Sequence, residues 1–236
     1  MGAICAGYVA GMNDRTARVD TVVLDIDGTL VDSNYQHTVA WSRAFRSAGH
    51  DVPTWQIHRA IGMGGDRLVA AVAGQEVEDA DGDAVRAAWE QEYDAMLDEP
   101  VAFPGAADLL TDLRDRGLRV VLASSAIPRH AERAIALLGE ERKHAQAATT
   151  SEDAEESKPD PELLEAAVDR VAGSSSLVVG DSVWDVEAAR RLGIPAVALL
   201  SGGFAEDELR AAGAEWVLED VADLRQRLDQ VLAPPA

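Results

Sequence analysis

Cysteine is almost missing from this chain: Cys5 is the only one. That excludes an intramolecular disulfide and any zinc site built on thiolates. Lysine is nearly as rare, since only Lys143 and Lys158 among the 21 basic residues are lysines. Positive charge as a whole is short, with 42 acidic residues giving a formal net charge of −21 and a pI near 4.4. So negative a surface repels a phosphate backbone and an anionic membrane alike, so neither nucleic acid nor membrane is an expected partner. No long uncharged apolar run occurs, which argues against a transmembrane span. Met1–Arg18 has a short apolar start with no basic residue before it, unlike a secretory signal. This segment reads as a loose tail, Met12 offers a second translation start, and the cytoplasm is the expected compartment. The acid excess has two candidate sources, a high-salt cytoplasm and a GC-rich genome, and its size favours salt adaptation.

What is present is a core. Apolar residues make up 47% of 236 positions, enough for one large domain or a domain with a sizeable insertion. Thr21–Leu24 is β-branched and apolar and runs into the polar Asp25-Ile26-Asp27-Gly28-Thr29, the pattern of a buried strand ending in a loop. Similar runs follow at Arg119–Ala123, Ser176–Val179 and Pro195–Leu199, with weaker ones at Ala145–Thr149 and Glu215–Leu218. Continuous rather than alternating apolar strands imply a sheet covered on both faces. Between them, Asp160-Pro161 supplies an N-cap and first-turn proline for a helix that Gly173 stops. Alternation from Phe103 onward predicts an α/β, doubly wound parallel sheet.

Tyr35 to Pro100 breaks that alternation. Its periodic segments are helical, and Val85, Trp89, Tyr93, Met96 and Leu97 line one side of a helix expected between Asp83 and Asp98. The expected organisation is therefore a tail at 1–18, a core at 19–33 and 101–236, and an inserted α-helical domain at 34–100. Its hinges fall at Val31–Asn34 and Asp98–Gly105.

Four short elements carry chemistry. In Asp25-Ile26-Asp27, two carboxylates lie on the same side of an extended chain, an arrangement that is costly unless a cation neutralises them or one stays protonated. Gly28 permits a tight turn and Thr29 offers a hydroxyl and an N–H, although a bare Asp-Gly is more often a solvated turn. The strand ending at Ala123 delivers Ser124 and Ser125 to the same sheet edge, where hydroxyls bind oxyanions as readily as they cap helices. Lys158-Pro159 places one of the two lysines before a helix, as a point charge for a phosphate or as ordinary surface charge. Finally, Gly180-Asp181-Ser182-Val183-Trp184-Asp185 follows a buried strand. Asp181 points into the ligand crevice, whereas Asp185 also fits a capping box with Ser182 that alone would be worth about 1 kcal/mol. Oxygen-only ligands suit a hard cation such as Mg²⁺, and Mg²⁺, lysine and a free carboxylate together suit phosphoryl transfer.

This set, in this order, resembles the haloacid dehalogenase superfamily, specifically phosphatase-like members with a helical cap inserted after the first strand. The resemblance runs from Val19 to about Leu232. It implies that Asp25 is a nucleophile forming an aspartyl-phosphate and that Asp27 protonates the leaving alcohol and then activates water. It further implies Mg²⁺ held by Asp25, the Asp27 main-chain carbonyl and Asp181, with Asp185 ligating or orienting a bound water. Gly28, Thr29, Ser124, Ser125 and Lys158 would bind the transferring phosphoryl group. Dehalogenases and phosphonate-cleaving relatives typically lack an aspartate at the position of Asp27, so a small phosphate monoester is the expected substrate, as in phosphoglycolate or sugar-phosphate phosphatases.

A sugar phosphomutase is the nearest competitor, because His37-Thr38-Val39-Ala40-Trp41 resembles the start of a β-phosphoglucomutase-like cap and Arg67 lies where such proteins hold a second phosphate. Against it, the mutase pattern carries a basic residue three positions after the motif serine, and here that residue is Ile127. His37 reads equally as helix packing. Ile61-Gly62-Met63-Gly64-Gly65-Asp66-Arg67, with its close-approach glycines, is the expected substrate-selecting loop, Gly64, Gly65 and Arg67 being its candidate contacts. Other classes fit less well. A receiver domain needs an acceptor aspartate at a strand end between Asp27 and Ser124, and a Gly-Asp-Ser esterase needs a histidine after Ser182, yet the last is His144. A non-catalytic binding protein would be expected to have lost one of Asp25, Asp27 or Asp181.

Overall fold

The β-branched run at the start of the core forms β1 (Thr21–Asp25), whose residues are all buried. The computed structural model describes residues 18–233, so Cys5, Met12 and all of the expected tail but Arg18 lie outside the described residues. After β1 come the two-residue strand β2 (Val31–Asp32) and four helices, α1 (Asn34–Ser47), α2 (Thr54–Ala60), α3 (Gly65–Ala73) and α4 (Gln75–Asp94). A second two-residue strand, β3 (Val101–Ala102), pairs antiparallel with β2, so the chain leaves for the helices and returns from them side by side.

The rest alternates: α5 (Ala106–Asp115), β4 (Arg119–Ala123), α6 (Pro128–Ala136), β5 (Ala147–Thr149), α7 (Glu162–Arg170) and β6 (Ser176–Gly180). It continues through α8 (Val183–Arg191), β7 (Ala196–Leu199), α9 (Glu206–Ala212), β8 (Trp216–Leu218) and α10 (Val221–Val231). Six strands form a parallel sheet in the order β5-β4-β1-β6-β7-β8, an α/β fold of the doubly wound kind.

Alternate residues of each strand serve opposite faces. Val22, Leu24, Val120, Leu122, Leu177 and Val179 pack under α5 and α10 in one apolar cluster. Val23, Val121 and Val178 pack in a second, with side chains of α7 and α8. The helices between β2 and β3 have a core of their own around Trp41, Phe45, Leu68, Val85 and Trp89. Burial on both sheet faces is why these strands read as continuous apolar runs.

Three local expectations shift. The helix expected between Asp83 and Asp98 begins at Gln75 and ends at Asp94. Its acidic first two turns are helical although they lack the apolar stripe, and Met96 is buried from the turn that follows. Pro161, not Asp160, takes the N-cap of α7, and the Asp160 carboxylate accepts from the Glu162 N–H at 3.2 Å. After α7 the chain turns at Ala172, whose φ is +52°, before it reaches Gly173.

Asp20 anchors the entry to β1. Its carboxylate accepts from the Ser174 hydroxyl at 2.6 Å and the Thr21 hydroxyl at 2.7 Å, and pairs with Arg119 at 3.0 Å. Partial burial pushes its pKa up, but the bonds from Ser174, Thr21 and the Ser175 N–H win and bring it down to about 2. A carboxyl depressed on folding adds stability above its unfolded value and loses it as pH falls through the folded one. Asp20→Ala is therefore expected to cost about 1 kcal/mol near neutrality, after discounting for solvent screening. The urea midpoints of the two proteins should converge between roughly pH 4 and pH 2, and a pH-independent gap would rule out this linkage.

Candidate active site

The sheet delivers its polar residues to one edge. Asp25 ends β1, Ser124 follows β4, and Asp181 follows β6, beside the strand where the order reverses direction. Lys158 lies on the segment between β5 and α7, and α8 opens with the turn that carries Asp185. Parallel strands present their carboxyl ends together, so residues about 150 positions apart in sequence become neighbours here.

Lys158 is the centre of the cluster. It is 1% exposed; its ammonium is hydrogen-bonded to Asp25 Oδ1 and lies 2.7 Å from Asp185 Oδ1. Burial alone would lower the lysine pKa, but the carboxylates of Asp185 and Asp25 hold it above its ordinary value. The Thr29 hydroxyl sits between Asp25 Oδ2, at 3.1 Å, and Asp181 Oδ1, at 3.0 Å. The Asn34 side-chain amide donates to Asp181 Oδ2 at 2.8 Å.

Asp27 faces elsewhere. Its Oδ1 accepts from the Ser33 hydroxyl at 2.7 Å and lies 3.3 Å from His37 Nε2, while Oδ2 accepts from the Ser124 hydroxyl at 3.1 Å. Burial raises its pKa, and the bonds from His37, Ser33 and Ser124 outweigh it, leaving a value of about 2. His37 in turn stacks on Tyr93 with ring centroids 3.9 Å apart. This histidine is therefore packed as the helix-face reading expects and also reaches Asp27.

Asp25, Asp181 and Asp185 are buried, and one oxygen from each lies within 4.8 Å of the others. Burial, together with the charge of Asp185, raises Asp25 well above the usual carboxyl range and Asp181 to about 7, against the pull of Lys158. Crowded carboxylates of this kind suit a hard divalent cation, which removes their mutual repulsion and accepts oxygen donors only. The residues fit such an ion. Asp185 also closes the capping box, its Oδ2 accepting from the Ser182 hydroxyl at 2.5 Å and the Ser182 N–H at 3.2 Å. Both readings of Asp185 thus hold at once, one for each carboxylate oxygen.

Two glycines make room. Gly28 has φ +79°, and a Cβ there would come within 2.3 Å of Asp181 Oδ2 and of the Asn34 amide nitrogen. Gly202, after β7, is tighter: its Cβ would meet Asp181 Oδ2 at 2.1 Å and the Asp181 main-chain oxygen at 2.5 Å. Next to it, the Ser201 hydroxyl donates to the Gly28 carbonyl at 2.7 Å and so fixes the loop that follows β1. Sequence reasoning passed over Asn34, Ser201 and Gly202; a Ser-Gly-Gly at the end of a buried strand was the available signal for the last two. Gly202→Ala is expected to displace Asp181, weakening Mg²⁺ binding at least about tenfold by calorimetry. Unchanged affinity would show that the loop yields instead.

The helical insert closes over this edge. Gly64 N–H donates to the Ser157 hydroxyl at 2.9 Å, Ser157 N–H donates to Asp66 at 3.1 Å, and Arg67 pairs with Glu156 at 2.6 Å. The candidate selecting loop thus grips the segment that carries Lys158, and Arg67 pairs with that segment through Glu156. A cavity of about 50 Å³ remains, lined by Asp25, Asp27, His37, Gly64, Gly65 and Ser125, among others. The Ser125 hydroxyl is buried there without a hydrogen-bond partner.

The model of haloacid dehalogenase-like hydrolases matches residues 19–193. This chain belongs to that family. The hydrolase is 28% identical over 214 residues to a phosphoglycolate phosphatase of Caulobacter vibrioides, covering 86% of this chain and 88% of that protein. It is 28% identical over 211 residues to a validoxylamine A 7'-phosphate phosphatase of Streptomyces hygroscopicus, covering 86% and 94% of the two chains. Among solved structures, a hydrolase from Pseudomonas syringae superposes with a TM-score of 0.84 at 33% identity, covering 90% of this chain and 99% of that one. Such relatives place the hydrolase among phosphatase-type enzymes. Among its described residues, no helix is long and apolar enough to cross a membrane.

Proposed function

We propose that this hydrolase is a Mg²⁺-dependent phosphatase that cleaves a small phosphate monoester through an aspartyl-phosphate on Asp25. The observation that carries the reading is the division of labour between two carboxylates. Asp25 is joined to Lys158 and to the cation-fitting pair Asp181 and Asp185, while Asp27 is held apart by Ser33, His37 and Ser124.

In this mechanism an Asp25 carboxylate oxygen attacks phosphorus, and the bond from phosphorus to the leaving alkoxide breaks. Asp27 gives its proton to that alkoxide, then takes one from the water that attacks the aspartyl-phosphate, which releases inorganic phosphate and regenerates Asp25. Ionised Asp27 is the base form. A phosphate dianion placed against it raises its proton affinity, the direction needed for it to act first as an acid. Lys158 neutralises phosphoryl charge, and the hydroxyls of Thr29, Ser124 and Ser125 with the backbone at Gly28 hold the phosphoryl oxygens. Mg²⁺, when bound by Asp25, Asp181, Asp185 and the Asp27 main-chain carbonyl, screens the charge of phosphate and nucleophile so that the two anions meet.

Residues 34–100 act as the cap of this catalytic core. His37, Gly64 and Gly65 line the cavity from the cap side and are its substrate-facing residues, while Arg67 holds the cap to the core through Glu156. The loop excludes water when it closes.

Hydrolysis of p-nitrophenyl phosphate is expected to fall to background in EDTA and to return with Mg²⁺. Turnover quenched in acid should leave phosphate on the peptide containing Asp25. Full activity in EDTA, or phosphate on another residue, would refute the mechanism.

A further inference from the structure

A second cavity of about 190 Å³ adjoins the first, sharing Gly65, Trp89 and Ser125 with it. Asp25 lines only the first cavity; the second lies beside it, between Asp66, Arg86 and Glu90 of the helical insert and Ile127, Glu155 and Glu156 of the core, so it is the adjoining space available to the group attached to the phosphate. Its walls include the carboxylates of Asp66, Glu90, Glu155 and Glu156, against one guanidinium, Arg86.

Among the described residues, each guanidinium near this cavity is already ion-paired, although Arg67 Nε itself is buried without a hydrogen-bond partner. Arg86 is bound to Glu78 at 2.9 Å, Asp83 at 2.8 Å and the Gly65 carbonyl at 3.1 Å. Arg67 lies 2.6 Å from Glu156 and 3.8 Å from Asp160, and Arg129 lies 3.1 Å from both Glu90 and Asp94. Ile127 is part of the wall. The buried Ser125 hydroxyl, unpartnered and common to both cavities, remains as a neutral hydrogen-bonding group.

We propose that this second cavity is the leaving-group subsite and that it selects an uncharged polyol or an amine-bearing alcohol over one carrying a carboxylate or a second phosphate. The inference rests on the phosphatase reading and adds the class of leaving group. An anion entering here meets more carboxylates than guanidiniums, and the arginines beside it are already committed to Glu156, Glu90, Glu78 and Asp83, so it finds repulsion that the water at these partly exposed walls only partly screens. A hydroxyl or an ammonium finds acceptors on the same walls. The subsite also disfavours a phosphomutase, which has to hold a second phosphate of its substrate.

Three two-carbon phosphate monoesters differ at one end only: phosphoethanolamine, 2-hydroxyethyl phosphate and phosphoglycolate carry an ammonium, a hydroxyl and a carboxylate. Each is measured as a competitor of p-nitrophenyl phosphate hydrolysis by the full chain with Mg²⁺, so an order emerges whether or not it is itself turned over. The ammonium and hydroxyl compounds are expected to compete at least about tenfold better than phosphoglycolate. Glu155→Arg, at an exposed wall position, should narrow or reverse that order by supplying a free cation. Phosphoglycolate competing as well as the other two in the wild type would overturn the subsite. Absence of Mg²⁺-dependent p-nitrophenyl phosphate hydrolysis would overturn the phosphatase reading itself, which keeps the two failures apart.

Discussion

Lys158→Met is expected to lower unfolding stability by about 3–5 kcal/mol at pH 7 and to slow phosphate release at least about 10³-fold. Among the described residues the lysine is the single cation paired with the carboxylates of the site, Asp25 and Asp185 directly, and it is almost wholly enclosed. Removing one partner of a buried ion pair leaves the other charge without water or counter-ion, which costs far more than the pair contributes. Because folding raises this lysine's pKa, its contribution is complete below the unfolded value near 10.4 and fades only as pH rises past it. Neutral pH therefore reports the full loss. Acid should shrink the difference, since protonating the orphaned carboxylates removes the repulsion that the variant suffers. Urea unfolding at pH 7 and pH 5 checks both points, and an unchanged midpoint at pH 7 would mean that the cluster does not depend on its lysine.

Asp25→Asn should behave in the opposite way. An amide oxygen is too weak a nucleophile to accept the phosphoryl group, so p-nitrophenyl phosphate hydrolysis is expected to drop at least about 10³-fold. Stability without Mg²⁺ should hold or rise by up to about 2 kcal/mol, because one of several mutually repelling buried carboxylates has gone while Lys158 keeps Asp185. Thermal unfolding beside a phosphate-release assay tests the pairing of outcomes. An inactive but clearly destabilised variant would show that Asp25 supports the fold more than it strains it. Activity near the wild-type level would remove it as the nucleophile.

Strand runs such as Arg119–Ala123 could be read directly, because burial on both sheet faces writes itself as uninterrupted apolar sequence. The placement of polar residues at their carboxyl ends was equally legible, since Asp25 ends β1 and Ser124 and Asp181 each follow a strand at once. Contacts set by distant backbone were not. Nothing local in Asn34 announces that its amide will reach Asp181, and Gly202 is required only because β7 carries it against that same aspartate. Helix ends were the least legible. Asp160 resembles a cap, yet the proline after it takes the cap position and the aspartate serves from one residue farther back. Arg67 likewise looks in sequence like an anion-binding residue, and only the folded chain puts Glu156 beside it.

Asp185 spends one oxygen on closing the first turn of α8 and the other on Lys158. A change there therefore has two consequences that no screen by activity alone can separate, frayed helix and altered charge in the crevice. Variation at this position is constrained twice over, and a loss-of-function variant found there is as much a folding lesion as a chemical one. Ser182 touches only the first of these duties. Comparing lesions at the two neighbours would tell how far the start of one helix sets the electrostatics of the whole crevice.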